Sequence, residues 1–467
     1  MTIIDQGQAR PIDLARGWPS LDMLPSHLLS EAAVKTLKDP SKYLPALQYG
    51  DDAGYEPLRK EIASWISNVD GRAHLPEHIC VTAGACLGMA SVLQSFTDPS
   101  ITRAVWIVAP AYHLSFGMFK DAGFENRLMS VPEETDGIDL EWLGIQLAMC
   151  DEGHSQPELD PRKPGSGRKF YRHVIYTVPT CANPSGRTMS LSTRSRLVAL
   201  ARKHDALIIC DDVYDLLQWP LLPNSLLPEP LPACPENENY KVYPPVQLPE
   251  NTALPRLSDL DLDLGPSAHD VQNGNHSGHA ISNNSFSKIL GPGVRTGWVQ
   301  GTPAFIHGLS QTGSTVSGGA PSQFASAIVH ELLQSGRLEE HIARCVRPGL
   351  QRRHAILARA VALVGTYLAP LGVSWVRRDD DGVFGGYFLW LTLPVGSPPA
   401  TEFAARAEAE EGVLVAPGDL FGVPGCGAGN LYQRNVRLCF AWEDDGTFEE
   451  AVRGLANVLR KSIRNGV

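Results

Sequence analysis

Residues 282–298 read Ser-Asn-Asn-Ser-Phe-Ser-Lys-Ile-Leu-Gly-Pro-Gly-Val-Arg-Thr-Gly-Trp. Lys288 follows two serines, Ser285 and Ser287, and Arg295 comes after a Gly-Pro-Gly break. A lysine amine forms a Schiff base with an aldehyde. Serine hydroxyls and a guanidinium hold a phosphate. For an arbitrary lysine, a surface position beside a turn is the commoner reading, so the rest of the pattern has to decide. An aldehyde and a phosphate on one small molecule describe pyridoxal 5'-phosphate (PLP).

The pattern Ser-x-Ser-Lys-x-x-x-Pro-Gly-x-Arg-x-Gly-Trp over 285–298 resembles the lysine segment of the fold-type I, class I/II aminotransferases. The resemblance implies an α/β fold. A large domain with a mostly parallel, seven-stranded-type sheet would bind PLP through Lys288. A small α+β domain would complete the chain. The other motifs stand in that family's order.

Residues 48–60 form a Gly-punctuated loop running into a helix predicted at about 55–68. In the family the tyrosine of this loop, Tyr49 here, reaches the cofactor phosphate of the neighbouring subunit. The resemblance therefore implies a homodimer with shared active sites. Residues 79–96 read as an apolar strand, a small-residue turn and a helix start. A helix N-terminus offers free N–H groups and a positive dipole end to a phosphate, here through the amides of Ala85 and Cys86. Family members often carry a hydroxyl or amide side chain there, whereas this chain has Ala85, Cys86 and Leu87. The phosphate contacts then shift to main chain, Ser285, Ser287 and Arg295.

A strand over 104–109 leads to Tyr112. On local sequence this reads first as a core tyrosine; the resemblance stacks it on the pyridine ring. Asn183 lies in an Asn-Pro-x-Gly turn after a strand, where α/β folds place ligands. It resembles the residue that bonds the phenolic oxygen of the cofactor. Residues 206–214, Ala-Leu-Ile-Ile-Cys-Asp-Asp-Val-Tyr, read as a buried parallel strand ending in two acids. A buried carboxylate needs a partner. A protonated pyridine nitrogen is one, and protonation keeps the ring an electron sink. The family spacing Asp-x-x-Tyr selects Asp211 for that nitrogen and Tyr214 for the phenolic oxygen. Successive strand side chains point to opposite faces, so only one of Asp211 and Asp212 meets the ring.

Arg437 alternates with apolar neighbours on a predicted strand at 436–440. An inward arginine needs an anion, and a bidentate carboxylate fits its fork. A structural salt bridge is the other reading; the resemblance selects the substrate α-carboxylate. Gly17 and Trp18 read either as site-lining residues or as a turn with a packed tryptophan.

The chain has 467 residues, 43% of them hydrophobic, enough for two domains. We expect an N-terminal arm at 1–45 joining the small domain, a large PLP-binding domain at 46–345 and a small C-terminal domain at 346–467. The net charge of −11 argues against nucleic acid or an anionic membrane as partner. No apolar run approaches the ~20 residues of a membrane span, and the N-terminus lacks signal-peptide character. Nine scattered cysteines without a CxxC pair suggest a reduced, cytoplasmic protein with no metal site. Residues 150–170 read as a surface loop. Eleven of the 36 prolines fall in 219–281, which we read as an insertion. It should be partly ordered at 253–257 and mobile around 262–280, in the manner of fungal family members. Farther on, a helix is predicted at 348–368, strands at 385–391 and 413–416, and a closing helix at 447–463. Residues 425–430 half-match a dinucleotide loop but lack its last glycine and following helix, so that reading is discarded.

The resemblance implies a PLP-dependent transaminase working between an L-amino acid, aromatic or 2-aminoadipate-like, and a 2-oxo acid. Lys288, Asp211 and Tyr214 would be catalytic. Lys288, Asn183, Asp211, Tyr214, Tyr112, Ala85, Cys86, Ser285, Ser287, Arg295 and Tyr49 would hold the cofactor. Arg437, Asn183, Gly17 and Trp18 would hold the substrate. The same motifs serve PLP-dependent lyases and replacement enzymes. An aminocyclopropane-carboxylate-synthase-like or C–S lyase activity, in fungal specialised metabolism, is therefore the alternative.

Overall fold

The computed structural model describes residues 10–465, apart from 154–160, 167, 222–226, 233–236, 238, 247–252, 364–367, 376–381 and 427–430. The end of the 425–430 loop, most of the 150–160 stretch and parts of the 219–281 segment thus lie outside the described residues.

Seven strands build the central sheet: β1 (Ile79–Thr82), β2 (Ala104–Ala109), β3 (Leu128–Pro132), β4 (His173–Thr177), β5 (Ala206–Asp211), β6 (Ala280–Ser285) and β7 (Gly297–Gln300). Their order is β1-β7-β6-β5-β4-β2-β3, and β7 alone is antiparallel to its neighbours. Such strands are buried on both faces, which is why they read as near-continuous apolar runs.

The period-2 alternation sorts those runs between two cores. Leu207, Ile209 and Ile281 join Met89, Val92 and Leu93 of helix Ala85–Phe96 on one face. Ala206, Ile208, Cys210 and Ala280 join Leu197, Val198 and Leu257 on the other. Asp211 inherits the parity of the first face and Asp212 that of the second. The strand itself therefore decides which acid meets a ligand lying over helix Ala85–Phe96.

A second sheet is antiparallel, in the spatial order Ser374–Trp375, Phe388–Thr392, Asn435–Cys439, Ala416–Pro417. Helix Ala400–Glu411 packs beside helix Phe448–Asn465, which also touches helix Arg347–Ala362. The N-terminal arm returns to this region, where Ile12–Asp13 pairs in parallel with Val413–Leu414.

Several expectations are corrected. The stretch 262–280, expected to be mobile, carries regular structure. Helix Leu257–Leu264 packs on helix Leu191–Lys203 and on β6, and Ala268–Gln272 forms a further short helix. Asp259 and Asp261 of the first of these helices are buried. Asp261 accepts from Arg202 at 2.8 Å, and Asp259 accepts from Gln300 at 2.7 Å. These partners lie tens of residues away, so no local window shows them. Within 150–170, Lys169 is buried and paired with Asp205, and residues 150–152 continue a helix that begins at Leu140. The helix predicted at 348–368 spans Arg347–Ala362. The 385–391 run splits at Gly386 (φ 75°) into Val383–Gly385 and Phe388–Thr392, because a Cβ at Gly386 would lie 2.9 Å from that of Cys181. The 413–416 strand is two short ones, Val413–Leu414 and Ala416–Pro417, pairing with different partners.

Candidate active site

The C-terminal ends of β4, β5 and β6 open into a cavity of about 330 Å³. Lys288, Asp211, Tyr214, Asn183, Tyr112, Ala85, Cys86, Ser285, Ser287, Arg295, Arg437, Gly17 and Trp18 all line it. Chain segments hundreds of residues apart thus converge on one volume. Of the sequence-predicted site residues only Tyr49 lies elsewhere. It is 85% exposed and packs on Gly318.

At one end a helix N-terminus, a guanidinium and two hydroxyls meet. Helix Ala85–Phe96 begins there, preceded by Gly84 with φ 96°. A Cβ at Gly84 would sit 2.9 Å from Arg295 Nη2, so only glycine admits that arginine. Arg295 adopts a left-handed backbone (φ 50°, ψ 40°), which costs a non-glycine residue ~1–2 kcal/mol. Its Nη2 donates to the carbonyl of Ala83 at 2.7 Å and its Nη1 to that of Pro292 at 2.9 Å. Ser285 caps the turn Phe286–Lys288, accepting from the Ser287 amide at 3.1 Å, and its hydroxyl donates to Ser287 Oγ at 2.8 Å.

Asp211 sits in the middle. Tyr176 on β4 donates to its Oδ2 at 2.9 Å, while Oδ1 is buried with no partner among the described residues. Burial pushes the Asp211 carboxyl up to about 6. Asp212 faces away and pairs with Ser282.

Lys288 Nζ donates to the Gly17 carbonyl at 2.7 Å and stands 5.0 Å from the Tyr387 ring centre. Burial brings its amine down to about 8, the guanidinium of Arg437 adding to the effect against Cys439 and Asp211. A Cβ at Gly17 would lie 2.9 Å from the Phe388 ring, so packing favours glycine there.

Arg437 is 4% exposed. Its Nη1 donates to Asn183 Oδ1 at 2.8 Å and its Nη2 to the Ala15 carbonyl at 2.5 Å. Phe388 and Phe421 flank the guanidinium, at 4.1 and 4.9 Å from the ring centres. No carboxylate pairs with it among the described residues, so the salt-bridge reading falls. Its Nε is buried and unpartnered.

These features fit a PLP-sized anion with a ring nitrogen. The cradle offers N–H, hydroxyl and guanidinium donors at one end, and Asp211 Oδ1 is a vacant acceptor for an N–H. Residues 11–455 match the family described as aminotransferase class I and II.

The chain belongs to the class I and II aminotransferases.

It resembles an uncharacterized protein of Saccharomyces cerevisiae, 33% identical over 441 residues and 89% of each chain. It also resembles the 2-aminoadipate transaminase of Thermus thermophilus, 26% identical over 96% of this chain and 90% of that one. Among solved structures, the multiple substrate aminotransferase of Thermococcus profundus superposes with a TM-score of 0.72 at 24% identity. That match covers 98% of this chain and 93% of the other. The aminotransferase uses PLP to move an amino group between an amino acid and a 2-oxo acid.

Among the lining residues of the aminotransferase cavity that escaped the sequence reading are Asn283, Tyr176 and Phe388. Asn283, whose Nδ2 donates to the Ala85 carbonyl at 2.8 Å, had a usable signal: it shares the strand face of Ser285 at i, i+2. Tyr176 and Phe388 had none, because each looks like an ordinary core aromatic in its own strand.

The lowered Lys288 amine has a kinetic consequence. Its neutral form is the nucleophile and is predominant above about 8. The rate at which apoenzyme captures added PLP should rise with pH and level off there, falling about tenfold per unit below it. Stopped-flow absorbance of cofactor uptake between pH 6 and 9.5 measures this. A profile still rising at pH 9.5 would place the amine at its ordinary value, and a flat one would show that no amine titrates in this range.

Proposed function

We propose that the cavity carries out transamination on amino acids with large side chains, aromatic or 2-aminoadipate-like. The observation carrying this reading is the pair of buried, vacant polar atoms on the lining: Asp211 Oδ1 on the cofactor side and Arg437 Nε on the substrate side. The name of the Thermus relative supports the 2-aminoadipate class. Trp18, Tyr112 and Phe388 on the lining support the aromatic one.

Bound there, PLP supplies an aldehyde for the substrate amine and a ring that takes up the electron pair left at Cα. The residues do the rest. Lys288 would hold the cofactor at its aldehyde carbon, and its neutral amine would serve as the general base for the Cα proton. Asp211, held by Tyr176, would keep the ring nitrogen protonated. Asn183 and Tyr214 would bond the phenolic oxygen, and Tyr112 would stack on the ring. Ala85, Cys86, Ser285, Ser287 and Arg295 hold the phosphate. Arg437 takes the α-carboxylate, with Asn183 fixing its plane, and Gly17 and Trp18 complete the substrate wall.

Exposed Tyr49 fits a role toward the phosphate of a second subunit, so the working form is a homodimer. We assign 46–345 to the cofactor domain, and 1–45 with 346–467 to the small domain. No helix among the described residues is long and apolar enough to cross a membrane; we assign the enzyme to the cytoplasm.

The test is an absorbance titration of holoenzyme with a panel of amino acids. A donor that bleaches the cofactor band, restored by a 2-oxo acid, identifies the substrate pair. Arg437→Gln should raise KM for every amino acid about 100-fold, the scale of a lost charge-assisted pair. An unchanged KM would remove Arg437 from substrate binding.

A further inference from the structure

Five charged side chains line the cavity: Arg16, Asp211, Lys288, Arg295 and Arg437. The reading above occupies four of them. Asp211 faces the ring nitrogen, Lys288 holds the aldehyde carbon, Arg295 faces the phosphate and Arg437 the α-carboxylate. Arg16 is left over, at the mouth.

Arg16 is held rather than loose. Asp13 Oδ1 accepts from the amides of Ala15 and Arg16, each at 3.0 Å. Asp13 Oδ2 lies 3.2 Å from Arg16 Nε. Asp13 is itself fixed, its amide donating to Glu443 Oε1 at 2.9 Å. The guanidinium packs between two indoles, 4.7 Å from the Trp18 ring centre and 5.1 Å from that of Trp442. Trp18 and Trp442 meet edge to face at 5.8 Å. A planar cation between aromatic faces is oriented as well as attracted.

This clamp uses the Nε edge and the ring faces. It leaves the Nη1 and Nη2 groups without a hydrogen-bond partner among the described residues. Two parallel N–H groups on one edge are the geometry that takes a carboxylate bidentately. Placement follows from the chain. The carbonyl of Ala15, adjacent to Arg16, accepts from Arg437 Nη2. The two guanidinium groups are therefore tied to consecutive residues of one arm, one buried at the α-carboxylate position and the other at the entrance.

We propose that Arg16 is a specificity-determining residue that receives the side-chain carboxylate of dicarboxylic substrates, while Arg437 holds the α-carboxylate of all substrates. The inference rests on the placement of Arg437 given above. Aromatic substrates would meet the same place through the indoles of Trp18 and Trp442. One arm thus serves both an acidic and an aromatic side chain without a second pocket.

The experiment compares glutarate, a dicarboxylate, with 3-phenylpropionate, a monocarboxylate bearing a ring. Both lack the amino group and so bind without reacting. Their dissociation constants for PLP-loaded enzyme are read from the cofactor absorbance change, for wild type, Arg16→Gln, Arg16→Lys and Arg437→Gln. Arg16→Gln should weaken glutarate relative to 3-phenylpropionate about 30-fold, the scale of one charge-assisted pair. Arg16→Lys should recover part of that ratio. Arg437→Gln should weaken both ligands together. An unchanged ratio in Arg16→Gln, or a wild type that binds glutarate no better than a monocarboxylate of its length, overturns the proposal. If Arg437→Gln spares both ligands, the fault lies instead with the α-carboxylate assignment, while the Arg16 ratio still decides its own case. The same ratio in kcat/KM for 2-oxoglutarate against phenylpyruvate gives an independent second reading.

Discussion

Lys288→Ala is expected to bind PLP without forming a Schiff base and to lose at least ~10⁴ in kcat, the upper range for a positioned general base. The amine is buried, its charge is already disfavoured, and it stands at the centre of the cavity. Among the described lining residues it is the only amine, and so the only side chain there that can form a Schiff base with an aldehyde. The readouts separate two roles. Loss of the Schiff-base absorbance with PLP retained on gel filtration reports the covalent anchor. The collapse of the single-turnover rate, with partial recovery on adding a small primary amine, reports the base. A variant that turns over within tenfold of wild type would remove Lys288 from the chemistry.

Asp211→Asn carries the second large effect. Asparagine keeps the shape and can still accept the Tyr176 hydroxyl, which lies 2.9 Å from Oδ2. It cannot hold a proton on the ring nitrogen, because its remaining group is a donor where the cation needs an acceptor. Without that charge the ring is a poor electron sink. Removing one preorganised electrostatic group from a buried site typically costs ~10²–10³ in kcat. PLP content and KM should change far less. Carboxyl burial sharpens the expectation: it pushes Asp211 up to about 6, and a cation at Oδ1 would bring the carboxyl back down. A kcat within a few-fold of wild type would show that the ring works unprotonated.

Both effects fall on residues the sequence pointed to, and the reason is local. Lys288, Ser285, Ser287 and Arg295 sit in one short segment, and a strand–turn–helix boundary shows itself through apolar periodicity and glycine. Even the choice of Asp211 over Asp212 was half made by strand alternation. What alternation left open was which face carries the ligand. Packing against helix Ala85–Phe96 answered that by burying the 207/209 side beneath it.

The failures are long-range. The helix carrying Asp259 and Asp261 is held by Gln300 and Arg202, partners 41 and 59 residues away. Tyr176 became a partner of Asp211 only because β4 and β5 lie side by side.

By itself, then, the sequence determined the fold family and the cofactor, and it named residues that, Tyr49 apart, line the cavity. Those depend on residue type and short spacing. Tertiary structure alone decided how the groups are held. Arg437 is aimed by Asn183 and by the carbonyl of Ala15, partners 254 and 422 residues away. Arg16 is fixed between Trp18 and Trp442, from opposite ends of the chain. Such contacts come from the desolvation and packing of distant segments against one another. No local pattern carries that information, because each partner satisfies its own strand or turn equally well wherever the other lies.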